Sequence, residues 1–260
     1  MIRKMLCGLL STAVLALPVH AARPVSVQID GEHMGAAAYV EQGVTYIPMR
    51  DLMEALGDWE VWWDHASGTA AASSESTRLH ADPETDTITV DGAVYSGRVA
   101  VVNGRTYLPL RTVVQALGGR VAWDPWLDGA AVTTAGAPYD ASDYYWLAHI
   151  ICAESGGEPL EGQIAVGNVV LNRVDSEEFP DTIPGVIFDC VDAVQFEPVE
   201  NGTVFRDPTE LSKEAARLVL DGEKTIGGAL FFYAPALSEG VWINDNRTYE
   251  QTIGCHRFYS

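Results

Sequence analysis

The sequence predicts an α+β protein of two domains: a duplicated β-β-α-β-β module followed by a mainly helical domain. Three observations carry this. A stretch near Gly43 returns near Gly104, a run of small residues with Gly and Pro separates the halves at 133–138, and helix-length apolar stretches dominate only beyond that break. At 260 residues and 47% hydrophobic composition, the chain is long enough for two cores.

The repeat is specific. Gly43-Val44-Thr45-Tyr46-Ile47-Pro48-Met49-Arg50 matches Gly104-Arg105-Thr106-Tyr107-Leu108-Pro109-Leu110-Arg111 at an offset of 61, and 8 of the 15 positions from Gly43 to Gly57 are identical. Asp30-Gly31 answers Asp91-Gly92, and Trp63-Asp64 answers Trp123-Asp124 after a one-residue slip. In each unit, alternating residues meet an Asp-Gly turn, which signals a hairpin. A strand then enters a short helix, Met49–Leu56 or Leu110–Leu117, closed by Gly57 or Gly118. A second strand pair follows. A unit of about 60 residues has little core of its own, so the two should pack as one module spanning 25–134. Trp59, Trp62, Trp63, Trp123 and Trp126 suit either packing or stacking on sugar rings.

Ahead of the module, Arg3 and Lys4 precede an apolar run from Met5 to Leu17 and a small-residue exit. This is the pattern of a secretory signal over 1–21, with cleavage after Ala21. The mature chain is then expected to act outside the cytoplasm, with no membrane span. The formal net charge is −20; loss of Arg3 and Lys4 leaves 14 basic against 36 acidic residues, or −22. Such a chain is not built for nucleic acid, whose affinity rests on Lys and Arg against phosphate. Cys152, Cys190 and Cys255 remain after cleavage, an odd number that leaves at least one thiol without an internal partner. The six histidines show no metal-ligand spacing, so no metal and no cofactor are expected.

After a linker over 135–142, the second domain occupies 143–260. A helix over Tyr144–Ala153 carries Glu154 at its end, where Gly156-Gly157 breaks it. Pro159 opens a second helix through Val174. Phe179 to Gly185 reads as loop, and Val186 to Val194 is short and apolar. Asp207, followed three residues later by Glu210, has the spacing of a helix start, with the helix running to Leu220. Ala229–Tyr233 reads as a buried strand.

A helix C-terminus disfavours an anion, and a partly dry site raises a carboxyl pKa further, so Glu154 suits general-acid chemistry. A two-carboxylate glycosidase needs a partner, for which Glu158 is nearest. Lytic transglycosylation needs only one carboxyl group, because the sugar supplies the nucleophile. A Cys152 amidase or peptidase with His256 or His149 is the rival enzyme, although a cysteine on an apolar helical run is ordinarily inert. A non-catalytic surface binder is the rival outside enzymology.

The repeat half resembles the N-terminal domain family of the copper amine oxidases, on its Tyr-x-Pro-x-Arg and Ala-Leu-Gly marks. That resemblance implies a fold and no amine oxidation, since the oxidase chemistry belongs to a separate domain. Cys152-Ala153-Glu154-Ser155-Gly156-Gly157-Glu158-Pro159-Leu160-Glu161-Gly162-Gln163 resembles the opening motif of spore cortex-lytic and related cell wall hydrolases. Asn172-Arg173, Gln195-Phe196, Tyr233, Trp242-Ile243 and Ile253-Gly254 with His256 continue it in register over 143–260. The resemblance implies a lysozyme-like fold and lytic transglycosylase action on peptidoglycan glycan strands, with Glu154 as catalytic acid and base. Glu158, Asn172, Gln195, Tyr233 and His256 are the candidates for substrate hydrogen bonds. Ala234 and Cys190 depart from the family's usual residues. The N-terminal module is left with a cell-wall or protein partner that the residues do not name.

Overall fold

The computed structural model describes residues 22–191 and 194–260; the signal segment expected over 1–21 lies outside them. The N-terminal half opens with β1 (Arg23–Pro24), β2 (Ser26–Ile29), β3 (Glu32–His33), β4 (Tyr39–Glu41) and β5 (Val44–Pro48), then α1 (Met49–Ala55), β6 (Glu60–Asp64) and β7 (Thr69–Ser73). After β8 (Arg78–Asp82) come β9 (Thr87–Val90), β10 (Ala93–Ser96), β11 (Ala100–Val102), β12 (Arg105–Pro109), α2 (Leu110–Ala116), β13 (Arg120–Asp124) and β14 (Gly129–Thr133).

Each helix is thus preceded by two hairpins, one more than the sequence suggests. The added strands β4 and β11 are three residues each, too short to alternate visibly. Their turns are nonetheless readable. Gln42-Gly43 and Asn103-Gly104 both sit at positive φ, as do Asp30-Gly31 and Asp91-Gly92, which is the backbone of two-residue hairpin turns.

The pairing interlocks the two halves of the module. β5 and β12 run antiparallel with Ile47 facing Leu108, and β4 and β11 flank them. The trailing hairpin β6–β7 joins β9–β10 through β8, while β13–β14 joins β2–β3 through a parallel β14–β2 pair. A single core results, with Ile47, Leu52, Met53, Leu79, Ile88, Leu108, Leu110 and Val113 fully buried.

The C-terminal half contains α3 (Ala141–Ser155), α4 (Leu160–Val174), α5 (Ile183–Ile187), α6 (Glu197–Asn201), a 3-10 turn Thr203–Phe205, α7 (Glu210–Leu220), β15 (Phe231–Tyr233), α8 (Val241–Asn246), β16 (Tyr249–Ile253) and β17 (His256–Tyr259). α3 is the central helix. Its stretch from Tyr144 to Ile151 is buried on every side, packed by α4, α5 and α7. Asp140 caps α3 by accepting from Ser142 N, so the helix begins at Ala141. Thr209, rather than Asp207, caps α7 by accepting from Ser212 N. Asp207 stands one residue before Pro208, and the helix starts only beyond that proline. β15, β17 and β16 form a small antiparallel sheet. No helix of the described residues is long and apolar enough to cross a membrane.

The halves meet through polar and aromatic contacts. The buried Asp124 carboxylate accepts from Trp146 Nε1 at 2.7 Å and from Ser142 Oγ at 3.1 Å. Trp126 stacks on Phe188 with ring centroids 4.7 Å apart, and Phe188 packs edge-on against Trp146. Lys213 Nζ donates to Glu32 at 2.7 Å, and a Cβ at Gly31 would strike the Tyr144 ring.

Candidate active site

Glu154 lies in the last turn of α3, half-buried, where the Gly156-Gly157 pair ends the helix. Among the described residues, no hydrogen bond or ion pair engages its carboxyl group. Burial pushes its pKa up, the Glu197 carboxylate adds to the rise and the Arg173 guanidinium opposes it, leaving a value of about 7. The acid is therefore about half protonated at neutral pH.

Arg173, near the end of α4, is the cation of this site. Its side chain is 5% exposed. Nε donates to Leu230 O at 2.8 Å, and the guanidinium lies over the rings of Phe179, Phe196 and Phe231 at 4.7, 5.0 and 5.5 Å. Nη1 is buried with no hydrogen-bond partner among the described residues. Burial lowers its pKa to about 10, which Glu154 and Asp189 oppose, so it stays charged at neutral pH. A half-buried carboxyl group thus lies within electrostatic reach of a buried cation walled by aromatic rings, poised between the neutral and ionised acid.

The other sequence candidates are placed differently. Glu158 Oε2 accepts from Cys255 N at 3.0 Å, bracing the β16–β17 turn, and a Cβ at Gly254 would fall 1.7 Å from that oxygen. The carboxylate that acts on Glu154 is instead Glu197, at the exposed start of α6. Asn172 Nδ2 donates to Gly227 O and Ala229 O, each at 3.0 Å, fixing the loop before β15. Gln195 is half-buried between α5 and α6, next to the buried Phe196 that walls Arg173. Tyr233 is buried, and its hydroxyl accepts from Asn244 Nδ2 at 3.0 Å. His256 is buried edge-on to Phe232; burial lowers its pKa, and its Nδ1 has no hydrogen-bond partner among the described residues.

The thiol chemistry weighed for Cys152 has no geometric support. Cys152, Cys190 and Cys255 are all free, and no hydrogen bond links Cys152 to His149 or His256. His149 Nδ1 is engaged with Val204 O at 2.8 Å.

Sequence reasoning passed over three groups here: Arg173, Glu197 and Trp242. Trp242 is 56% exposed and stands beside Phe231, with the Arg247 guanidinium 5.3 Å from its ring. Arg173 and Trp242 fell within the motif run but carried no signal of their own.

Residues 157–259 match the family described as Cell Wall Hydrolase, a range that begins three residues after Glu154, and residues 28–128 match the Copper amine oxidase N-terminal domain. The chain is 37% identical over 120 residues to a spore cortex-lytic enzyme of Bacillus cereus, covering 46% of this chain and 45% of that protein. The corresponding enzyme of Bacillus subtilis (strain 168) is 33% identical over 131 residues, covering 50% and 41%. The chain therefore spans less than half the length of these relatives. A solved structure, the catalytic domain of the germination-specific lytic transglycosylase SleB from Bacillus anthracis, is 34% identical and covered in full by 48% of this chain, with a TM-score of 0.42. The chain thus joins a C-terminal segment that matches the cell wall hydrolase family to an N-terminal segment that matches the copper amine oxidase N-terminal domain.

Proposed function

We propose that this chain is an exported lytic transglycosylase that cleaves peptidoglycan at the bond between N-acetylmuramic acid and N-acetylglucosamine, in cell wall or spore cortex. The observation that carries the reading is the Glu154 carboxyl group, without a hydrogen bond or ion pair among the described residues and raised to a pKa of about 7 within electrostatic reach of a buried arginine. The names of the relatives support the same chemistry.

Protonated Glu154 donates its proton to the glycosidic oxygen, which leaves as the O4 hydroxyl of N-acetylglucosamine. Positive charge develops at C1 of the muramic acid ring. The ionised Glu154 then takes the proton of that ring's own C6 hydroxyl as its oxygen bonds C1, closing a 1,6-anhydro ring. Glu154 ends protonated, ready for another cycle. No second carboxylate and no water enter the balance, which fits a site where Glu158 is turned toward Cys255. Arg173 keeps the ionised Glu154 accessible between the two proton transfers.

The same reading takes 1–21 as a signal peptide, 25–134 as one module arisen by duplication, 135–142 as linker and 143–260 as a lysozyme-like catalytic domain. Its test is product analysis on purified peptidoglycan. Fragments ending in 1,6-anhydromuramic acid are expected, and Glu154→Gln should abolish their release. Reducing ends would identify a hydrolase, and no release at all a binding protein.

A further inference from the structure

The N-terminal module carries two clefts that are copies of one another. The repeat offset of 61 takes Ile47 onto Leu108 and Tyr46 onto Tyr107. In the β5–β12 pair, Ile47 faces Leu108, Tyr46 faces Pro109 and Pro48 faces Tyr107. A local two-fold axis therefore passes through the Ile47–Leu108 pair, and it relates the helix, the β5 or β12 strand and the trailing hairpin of one repeat to those of the other.

The first cleft, about 360 Å³, combines Arg50, Asp51, Val61 and Trp63 of one repeat with Arg105 and Thr106 of the other. The second, about 240 Å³, places Arg111, Thr112, Val121 and Trp123 against Val44 and Thr45. Trp63 faces Ala70 across its hairpin, and Trp123 faces Ala130. The two indoles are thus equivalent, on the same strand face as Val61 and Val121. Trp63 is 38% exposed. Arg50 is pinned by donation from Nη2 to Val61 O at 3.0 Å.

The first cleft is the better equipped. Val44 stands in the second where Arg105 stands in the first, and the Arg23 guanidinium lies 5.6 Å from the Trp123 ring. Arg50 and Arg105 form no ion pair with any described residue, on a chain with 36 acidic and 16 basic residues. An anionic strand is repelled by the rest of such a surface, so unneutralised guanidinium groups beside an open indole select for one. The indole face takes the apolar face of a pyranose ring, and the guanidinium forks take carboxylates.

We propose that the cleft of Trp63, Arg50 and Arg105 is a second, non-catalytic site that holds a carboxylate-bearing amino-sugar strand. The occupant rests on the function proposed above; the site does not. The test uses full-length protein with Glu154→Gln, so that the glycan survives, and measures co-sedimentation with purified insoluble peptidoglycan. Trp63→Ala and Arg105→Ala are each expected to weaken association about tenfold, and Trp123→Ala less than about threefold. Arg105 is exposed, so its variant keeps the fold even if the tryptophan variant does not. Amidating the carboxylates of the peptidoglycan should reproduce the arginine loss. Unchanged sedimentation of both Trp63→Ala and Arg105→Ala, or full binding to amidated material, overturns the proposal. Failure of the catalytic reading would show separately, as absent cleavage by the wild-type chain with this binding intact.

Discussion

Both halves of the protein bring arginine, aromatic rings and a carboxyl group together, yet water divides their uses. In the N-terminal cleft, Arg50 and Arg105 are exposed beside a partly open Trp63. Charges there stay screened, and contact with a ligand is worth modest amounts per group. In the C-terminal site, Arg173 is covered by three phenylalanine rings, and the carboxyl group of Glu154 within its electrostatic reach is displaced to a pKa of about 7. Burial converts the same kit from a holder of charge into a device that changes protonation state.

The sharpest way to break this comparison is to remove the titrating group. Glu154→Gln should lower cleavage by about 10²–10⁴-fold, the range expected for a positioned acid–base residue. The same substitution should stabilise the fold. Because the folded pKa is raised above the ordinary 4.5, the native state binds more protons than the unfolded chain between pH 4.5 and 7. Stability from this group is therefore lost across that window and stays lost above it. Thermal melts at pH 8 should show the variant more stable by about 1–3 kcal/mol, with no difference below pH 4.

Arg173→Met comes next. Losing the cation removes the influence that opposes the rise in the Glu154 pKa, so the alkaline limb of the pH–rate profile should move upward from near pH 7. It also deletes the bond to Leu230 O, and urea titration should register a loss of about 1–3 kcal/mol. An unmoved alkaline limb would place Arg173 outside the electrostatics of the acid.

The junction between the halves gives a smaller effect. Asp124→Ala leaves the Trp146 indole N–H and the Ser142 hydroxyl without their acceptor, at a cost of about 1–3 kcal/mol by denaturant unfolding. Smallest of all, Cys152→Ser should leave cleavage within about twofold of wild type, since no base is bonded to that thiol. A large loss there would revive the cysteine chemistry.

Legibility in the sequence followed the range of the interactions involved. The repeat could be read because its turns and helix entry are local, written in Asp-Gly, Tyr-x-Pro-x-Arg and Ala-Leu-Gly. The strands β4 and β11 escaped because three residues cannot establish a period, although Asn103-Gly104 marked the turn. The helix bearing Glu154 was plain from its apolar run. The surroundings of that residue were not. Glu158 is the nearest second carboxylate in sequence, but the intervening Gly156-Gly157 hides its direction, and its carboxylate is bonded to Cys255, 97 residues along the chain. Arg173 lies under rings from the loop after α4, the approach to α6 and β15. No local pattern distinguishes such an arginine from a solvated one. The start of α7 was misread for a narrower reason, since Asp207 and Thr209 flank one proline and both are good caps.

The parallel pair of β2 and β14 has a consequence for how the chain is made. Gly129 aligns with Ser26, so the module's first long strand waits for its last. Contacts of that separation impose a late, slow closure on folding, because more than a hundred residues must be ordered around one loop. Until residue 133 is present, β2 and β3 have no sheet to join, and the half-made module has no finished core. A polypeptide of this design locks its N-terminal module only once the whole of that module has been made.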